Sequence, residues 1–159
     1  MLEIRALVVD DEPPARQGLA RMLAAHRDIT VVGESRNGGE AVRAIRTARP
    51  NLVFLDVEMP GLDGFGVLRA LAPGPLPLVV FVTAFDDYAV RAFEVHAIDY
   101  LLKPFTGERF KVAVERVLGR LEAGREPARR RHAALLDSLR CTVSTLASRW
   151  PQVRPAVSA

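Results

Sequence analysis

A chain of 159 residues, 49% of them hydrophobic, can bury one full core and carry an extension beyond it. It has no run of eighteen apolar residues, and Met1-Leu2-Glu3-Ile4-Arg5 lacks the basic-then-apolar order of a signal peptide, so neither membrane insertion nor export is indicated and a cytoplasmic location is expected. Residues 1–119 hold 14 Lys and Arg against 16 acids while residues 120–159 hold 8 Arg against 3 acids, so the net charge of +3 belongs to the tail and the globular part lacks the footprint of a nucleic-acid binder. The lone Cys141 excludes an internal disulfide and, without Cys or His at ligand spacing, a zinc site.

Short apolar runs alternate with helix-like segments along the chain. The first run, Ile4-Arg5-Ala6-Leu7-Val8-Val9, ends at Asp10-Asp11. Pro13-Pro14 then suits a helix start, where a missing N–H costs nothing, and Ala15, Leu19, Met22, Leu23 and His26 recur at helical spacing. A second strand over Ile29 to Glu34 leads to a Gly38-Gly39 turn and a helix from about Glu40 to Ala48, ended by Arg49-Pro50. Strand three, Leu52-Val53-Phe54-Leu55, runs into Asp56. The loop Glu58-Met59-Pro60-Gly61-Leu62-Asp63-Gly64 is dense in turn residues, and Asp63 is placed to cap a helix over Gly64 to Leu71 that Pro73-Gly74-Pro75 closes. Strand four, Leu78 to Val82, ends at Thr83. A helix covers roughly Asp87 to Val95, and strand five, Ile98 to Leu102, ends at Lys103. The last helix carries Phe110, Ala113, Val114, Val117, Leu118 and Leu121 on one stripe.

Beyond Leu121 the pattern changes. Gly124 and Pro127 interrupt the helix, Arg129-Arg130-Arg131 follows, and Leu135, Leu139, Val143 and Leu146 repeat at helical spacing before Trp150-Pro151. The chain thus divides into a globular domain over 1–121 and a basic linker with an amphipathic helical tail, partly disordered, over 122–159.

Apolar runs rich in Val, Leu and Ile read as strands buried on both faces of a parallel sheet. Five βα units make a doubly wound α/β sheet, expected in the order 2-1-3-4-5. The carboxyl ends of parallel strands share one edge, so Asp10, Asp11, Asp56, Thr83 and Lys103 are expected to meet in one crevice. Paired acids repel unless a cation relieves them, and Mg²⁺ binds through one or two carboxylates while accepting a phosphate oxygen as a further ligand. Asp56 beside such a metal and a Lys ammonium is placed to act as a carboxylate nucleophile toward phosphorus. Thr83 suits the hydroxyl role and Lys103 the ammonium role in neutralising the transferred group.

The series Asp10-Asp11, Asp56 followed by Met59-Pro60-Gly61-Leu62-Asp63-Gly64, Thr83-Ala84 and Lys103-Pro104 resembles the receiver domain of two-component response regulators, over residues 4 to about 120. Glu58-Met59-Pro60-Gly61, Thr83 through Val95 and Ala97 through Phe105 are similar to regulators of the LytR/AlgR type, which usually carry a DNA-binding LytTR domain after the receiver. The resemblance implies a flavodoxin-like receiver fold and a phosphoacceptor rather than an enzyme, one that at most catalyses its own phosphorylation and dephosphorylation. It implies Asp56 as phosphoacceptor and a sensor histidine kinase as donor. Asp11 and Asp56 would bind Mg²⁺ directly, Asp10 largely through water, and the backbone carbonyl of Glu58 would add a ligand. Lys103 would hold a phosphoryl oxygen, next to a cis bond to Pro104. Thr83 and Tyr100 would form the switch pair, altering a face of the fourth helix, fifth strand and fifth helix through which a homodimer is possible.

A LytTR domain needs on the order of 100 residues for its core, and about 40 follow the receiver here. The sequence therefore reads as a stand-alone receiver or as the input part of a longer regulator. DNA contact is expected only through the missing output domain or, second to that, through the basic tail. The alternative from another class is an aspartyl-phosphate-forming phosphatase or phosphotransferase on a similar fold, with Glu58 two residues after the nucleophile. Gly33 to Gly39 lacks the Lys-Ser/Thr of a phosphate loop, so a nucleotide-binding module is disfavoured.

Overall fold

The computed structural model describes residues 3–124. In chain order the elements are β1 (Ile4–Val9), α1 (Pro13–Ala24), β2 (Ile29–Ser35), α2 (Gly38–Ala48), β3 (Leu52–Leu55), α3 (Gly64–Leu71), β4 (Leu78–Thr83), α4 (Ala89–Glu94), β5 (Asp99–Leu102) and α5 (Gly107–Ala123). All strand pairs are parallel, in the order β2-β1-β3-β4-β5. The expected sheet and its order are therefore those of the molecule. The tail stripe of Leu135, Leu139, Val143 and Leu146, with Cys141 and Trp150, lies outside the described residues.

Alternation along the buried strands feeds two cores. Leu7, Val9, Val53 and Leu55 face the layer of α2, α3 and α4, where Ile45, Phe65 and Ala92 are buried against them. Ile4, Ala6, Val8, Leu52 and Phe54 face the layer of α1 and α5, with Leu23, Phe110 and Val117. Because every residue of β3 is buried, on one face or the other, this central strand shows no polar alternation, as a strand covered by helices on both sides must.

Local chemistry shifts some boundaries. The Gly38-Gly39 pair is the first turn of α2 rather than a turn before it: Asn37 caps the helix by accepting from the Glu40 amide at 2.8 Å, and the Glu40 carboxylate reaches back to the Arg36 amide at 2.9 Å. Gly38 is needed there, since a Cβ would stand 2.4 Å from the Leu62 carbonyl oxygen. β2 runs one residue further, to Ser35, where the Ser35 carbonyl accepts from the Asp10 amide at 3.1 Å. α4 is shorter than the span from Asp87 to Val95, because His96 at φ 60° turns the chain toward β5. Asp63 caps α3 as expected, accepting from Gly66 at 2.7 Å.

Sheet hydrogen bonds continue one residue past the strand ends. The Asp56 amide donates to the Val9 carbonyl at 2.9 Å, and the Lys103 amide to the Thr83 carbonyl at 2.8 Å. The polar residues that follow β1, β3 and β5 are thus held in sheet register rather than on free loops.

Candidate functional site

Asp10, Asp11 and Asp56 each place a carboxylate oxygen within 4.8 Å of the others. Asp10 and Asp56 are buried, at 4% and 6% exposure, while Asp11 is solvent-accessible. The Lys103 ammonium bridges the two buried acids, 2.6 Å from Asp10 Oδ2 and 3.5 Å from Asp56 Oδ2. Their other oxygens accept from backbone two residues on: Asp10 Oδ1 from the Glu12 amide at 2.9 Å, Asp56 Oδ1 from the Glu58 amide at 3.3 Å. Arg16 ties the start of α1 to the same place by donating to the Asp10 carbonyl at 2.7 Å. The crevice therefore assembles residues 93 positions apart in the chain.

The crevice sets one ammonium among three carboxylates, and the electrostatics register the shortfall. The Asp56 carboxyl is raised from 3.8 to about 6: burial contributes most and the charges of Asp10 and Asp11 add to it, against Lys103 and the Glu58 amide, which pull it down. For Lys103, burial favours the neutral amine, but the hydrogen bond to Asp10 and the charges of Asp56 and Asp10 more than reverse this and hold it above its ordinary value. The site is short of positive charge. Three oxygen donors this close, one facing solvent, match what a small hard dication needs: a few carboxylates at about 2.1 Å and room for waters. The donor set fits Mg²⁺, and it is the acidic cluster at which such an ion would bind.

Gly64 holds the loop after Asp56 against β3. Its amide donates to the Val57 carbonyl at 2.8 Å, and a Cβ there would lie 2.6 Å from the Asp56 carbonyl oxygen and 3.1 Å from Val57 Cα. Both neighbours are backbone, so the loop must move. Gly64→Ala is expected to cost about 1–3 kcal/mol, the range for overpacking. Gly18→Ala, in α1 with nothing within 4 Å of the new methyl, is expected to gain up to about 1 kcal/mol. Equal melting temperatures for the two variants would contradict this reading of the loop.

Thr83 is fully buried at the end of β4, and Tyr100 is 4% exposed in β5. Both engage the backbone of one residue. Thr83 Oγ1 accepts from the Phe85 amide at 3.4 Å, and the Tyr100 hydroxyl donates to the Phe85 carbonyl. Burial raises the Tyr100 phenol well above its ordinary value, so it remains a donor throughout the working pH range. The Phe85 side chain is itself 44% exposed, its ring edge-on to Tyr88 at 6.4 Å. Tyr88 in turn donates to the Glu58 carboxylate at 2.6 Å, joining the β4–α4 segment to the loop after Asp56.

Sequence reasoning missed Asp99. Buried in β5 beside Tyr100, it receives both Arg109 nitrogens at 2.8 and 2.5 Å, Arg116 at 3.1 Å and the Tyr100 amide at 2.7 Å. The available signal was a lone acid inside an apolar run, with two arginines seven apart on one face of the last helix.

The chain matches the model of the response regulator receiver domain over residues 6–115. It belongs to that family, whose members are signalling modules of two-component systems. Among curated proteins it is similar to the transcriptional regulatory protein BtsR of Salmonella typhi, 46% identical over 114 residues that make up 72% of this chain and 48% of that protein. BtsR of Escherichia coli K12 is 45% identical over 122 residues, 77% of this chain and 49% of that one. The chain spans about half the length of the curated relatives it matches. Among solved structures, the REC domain of AraT, a response regulator from Geobacillus stearothermophilus, superposes with a TM-score of 0.72 at 28% identity, covering 79% of this chain and all of that one. The response regulatory domain of mrkE from Klebsiella pneumoniae gives 0.70 at 29% identity, covering 75% and 98%. Among the described residues no helix is long and apolar enough to cross a membrane.

Proposed function

We propose that this domain accepts a phosphoryl group on Asp56 from a sensor histidine kinase and converts it into a changed protein contact, as the input part of a LytTR-type transcriptional regulator or as a stand-alone receiver. The observation that carries the reading is the Lys103 ammonium set between Asp10 and Asp56, with Asp11 completing an acidic trio. An Asp56 carboxylate oxygen attacks phosphorus, an acyl phosphate forms, and the bond from phosphorus to the donor nitrogen or oxygen breaks. Asp10, Asp11, Asp56 and the Glu58 carbonyl are the residues that would hold Mg²⁺, which when bound supplies the positive charge the site lacks. Lys103 neutralises a phosphoryl oxygen from the other side.

Phe85 supports Thr83 and Tyr100 as the switch. A Thr83 hydroxyl that turns to a phosphoryl oxygen releases the Phe85 amide, and the Phe85 carbonyl is where Tyr100 is anchored. Local charge is thereby relayed to the face of α4, β5 and α5, through which a homodimer or another partner is contacted. DNA is reached through an output domain or, second to that, through the basic residues after 122. The phosphatase reading would need the Glu58 carboxyl free as an acid or base, and Tyr88 engages it.

With acetyl phosphate and Mg²⁺, the protein is expected to take up one phosphoryl group per chain by intact mass, an uptake suppressed by chelator. Asp56→Asn takes up none. Equal uptake by that variant would end the proposal, and sustained turnover of an external phosphomonoester would favour the phosphatase.

A further inference from the structure

At the edge of the sheet opposite the carboxylates, a groove of about 700 Å³ runs between the ends of α2, α3 and α5 and the start of β4. Ile45, Pro50, Leu71, Leu76, Leu78 and Leu121 line it. Leu76 is 49% exposed, the most exposed large hydrophobic side chain among the described residues. Three polar side chains line the groove, of which Arg46 donates to the Ala70 carbonyl at 3.0 Å, Asn51 bonds the Arg5 amide and the Glu3 carbonyl at 2.7 and 3.1 Å, and Arg49 is exposed. A mostly aliphatic lining, with two of its three polar side chains already engaged, suits an aliphatic segment better than a polar small molecule, which needs convergent polar groups for orientation.

We propose that the groove receives residues 135–146 of the same chain, seated by the stripe Leu135, Leu139, Val143 and Leu146. Leu121, on the last turns of α5, lines the groove, so the chain leaves the described structure at its mouth. Ten residues, 125–134, separate Gly124 from Leu135. Extended, they reach roughly 35 Å, ample for a return to a groove at their point of departure. The stripe repeats at helical spacing and needs an apolar surface, while the groove is an apolar surface within reach. Asp137 and Arg140 fall away from the stripe at about 100° per residue, so charge stays in water. Intramolecular docking is favoured over a separate partner by effective concentration alone.

The chain's single cysteine provides the test. Cys141 falls on the side of the helical projection away from the stripe, so a nitroxide attached there does not obstruct docking. In the spin-labelled chain of residues 1–159, amide resonances of the non-proline residues in 45–51 and 71–78 should lose more than half their intensity, while those of Asp10, Asp11 and Asp56 keep theirs. Leu139→Asp and, separately, Leu76→Glu should restore the lost signals; Leu76 is exposed, so the second variant does not threaten the core. A mixture of isotope-labelled chains without nitroxide and spin-labelled chains without isotope should show no loss. Unaltered intensities at the groove, or broadening that survives Leu139→Asp, would overturn the proposal. Broadening in the mixture would give the groove to a second copy instead and overturn it equally.

Discussion

Asparagine in place of Asp56 is expected to raise the stability of the metal-free protein at pH 8 by about 2 kcal/mol, roughly 8 °C in melting midpoint for a domain of this size. The folded protein holds the Asp56 proton more tightly than the unfolded chain, because burial raises its pKa from 3.8 to about 6. A raised carboxyl pKa contributes stability below the unfolded value and loses it as pH climbs through the folded one. Above pH 6 the ionised side chain is therefore a liability of two pKa units, about 3 kcal/mol. Asparagine escapes this cost, gives up the 3.5 Å attraction to Lys103, and leaves the 2.6 Å pair of Lys103 with Asp10 intact. The advantage should shrink through pH 6 to 4 and vanish below it. Thermal melts of both proteins across pH 4 to 8 check this; a less stable variant at pH 8, or a gap that does not move with pH, would contradict it. Mg²⁺ should narrow the gap by stabilising the native protein.

Removing a different buried aspartate should do the reverse. Asp99→Ala is expected to destabilise the protein by about 3–5 kcal/mol, because the partly buried Arg109 guanidinium loses its bidentate partner, Arg116 loses one of its contacts and the Tyr100 amide loses its acceptor. Asp99 has more cation than it needs, whereas Asp56 shares one ammonium with Asp10. Asp99 and Asp56 are both buried, at 4% and 6% exposure, so the difference in local charge balance decides the sign. Urea unfolding should show the loss, and a double-mutant cycle with Arg109→Ala should return a coupling above about 1 kcal/mol. Additive effects would mean that the ion pair is not what joins β5 to α5. Because Asp99 adjoins Tyr100, the variant should also loosen the Tyr100 anchor on Phe85.

These contrasts show where the sequence was legible. Val9, Leu55 and Leu102 precede Asp10, Asp56 and Lys103, and in a sheet covered on both faces the step from apolar run to polar residue marks the strand end directly. Asp63 followed by Gly64 marked a helix start, since a cap acts within three residues. Asn37 did not, because the Gly38-Gly39 pair after it has the signature of a turn; only the packing of Gly38 on Leu62 explains glycine inside a helix. Asp99 looked like an interruption of a strand because its partners lie 10 and 17 positions away on α5, and the meeting of β5 with α5 is a tertiary fact. Phe85 gave no signal at all, since its amide and carbonyl do the work there and backbone groups are the same for every residue.

If the acidic trio, Lys103 and Thr83 converge on one phosphorus atom bonded to Asp56, the phosphoryl group leaves a chemical trace at that residue alone. The direct test is to treat the protein with acetyl phosphate and Mg²⁺, reduce the acyl phosphate with borohydride, and locate the resulting homoserine by peptide mass spectrometry. Conversion is expected at residue 56 and nowhere else. Conversion at Asp10 or Asp11, or a phosphoryl group retained on a Ser, Thr or His while residue 56 remains aspartate, would contradict it.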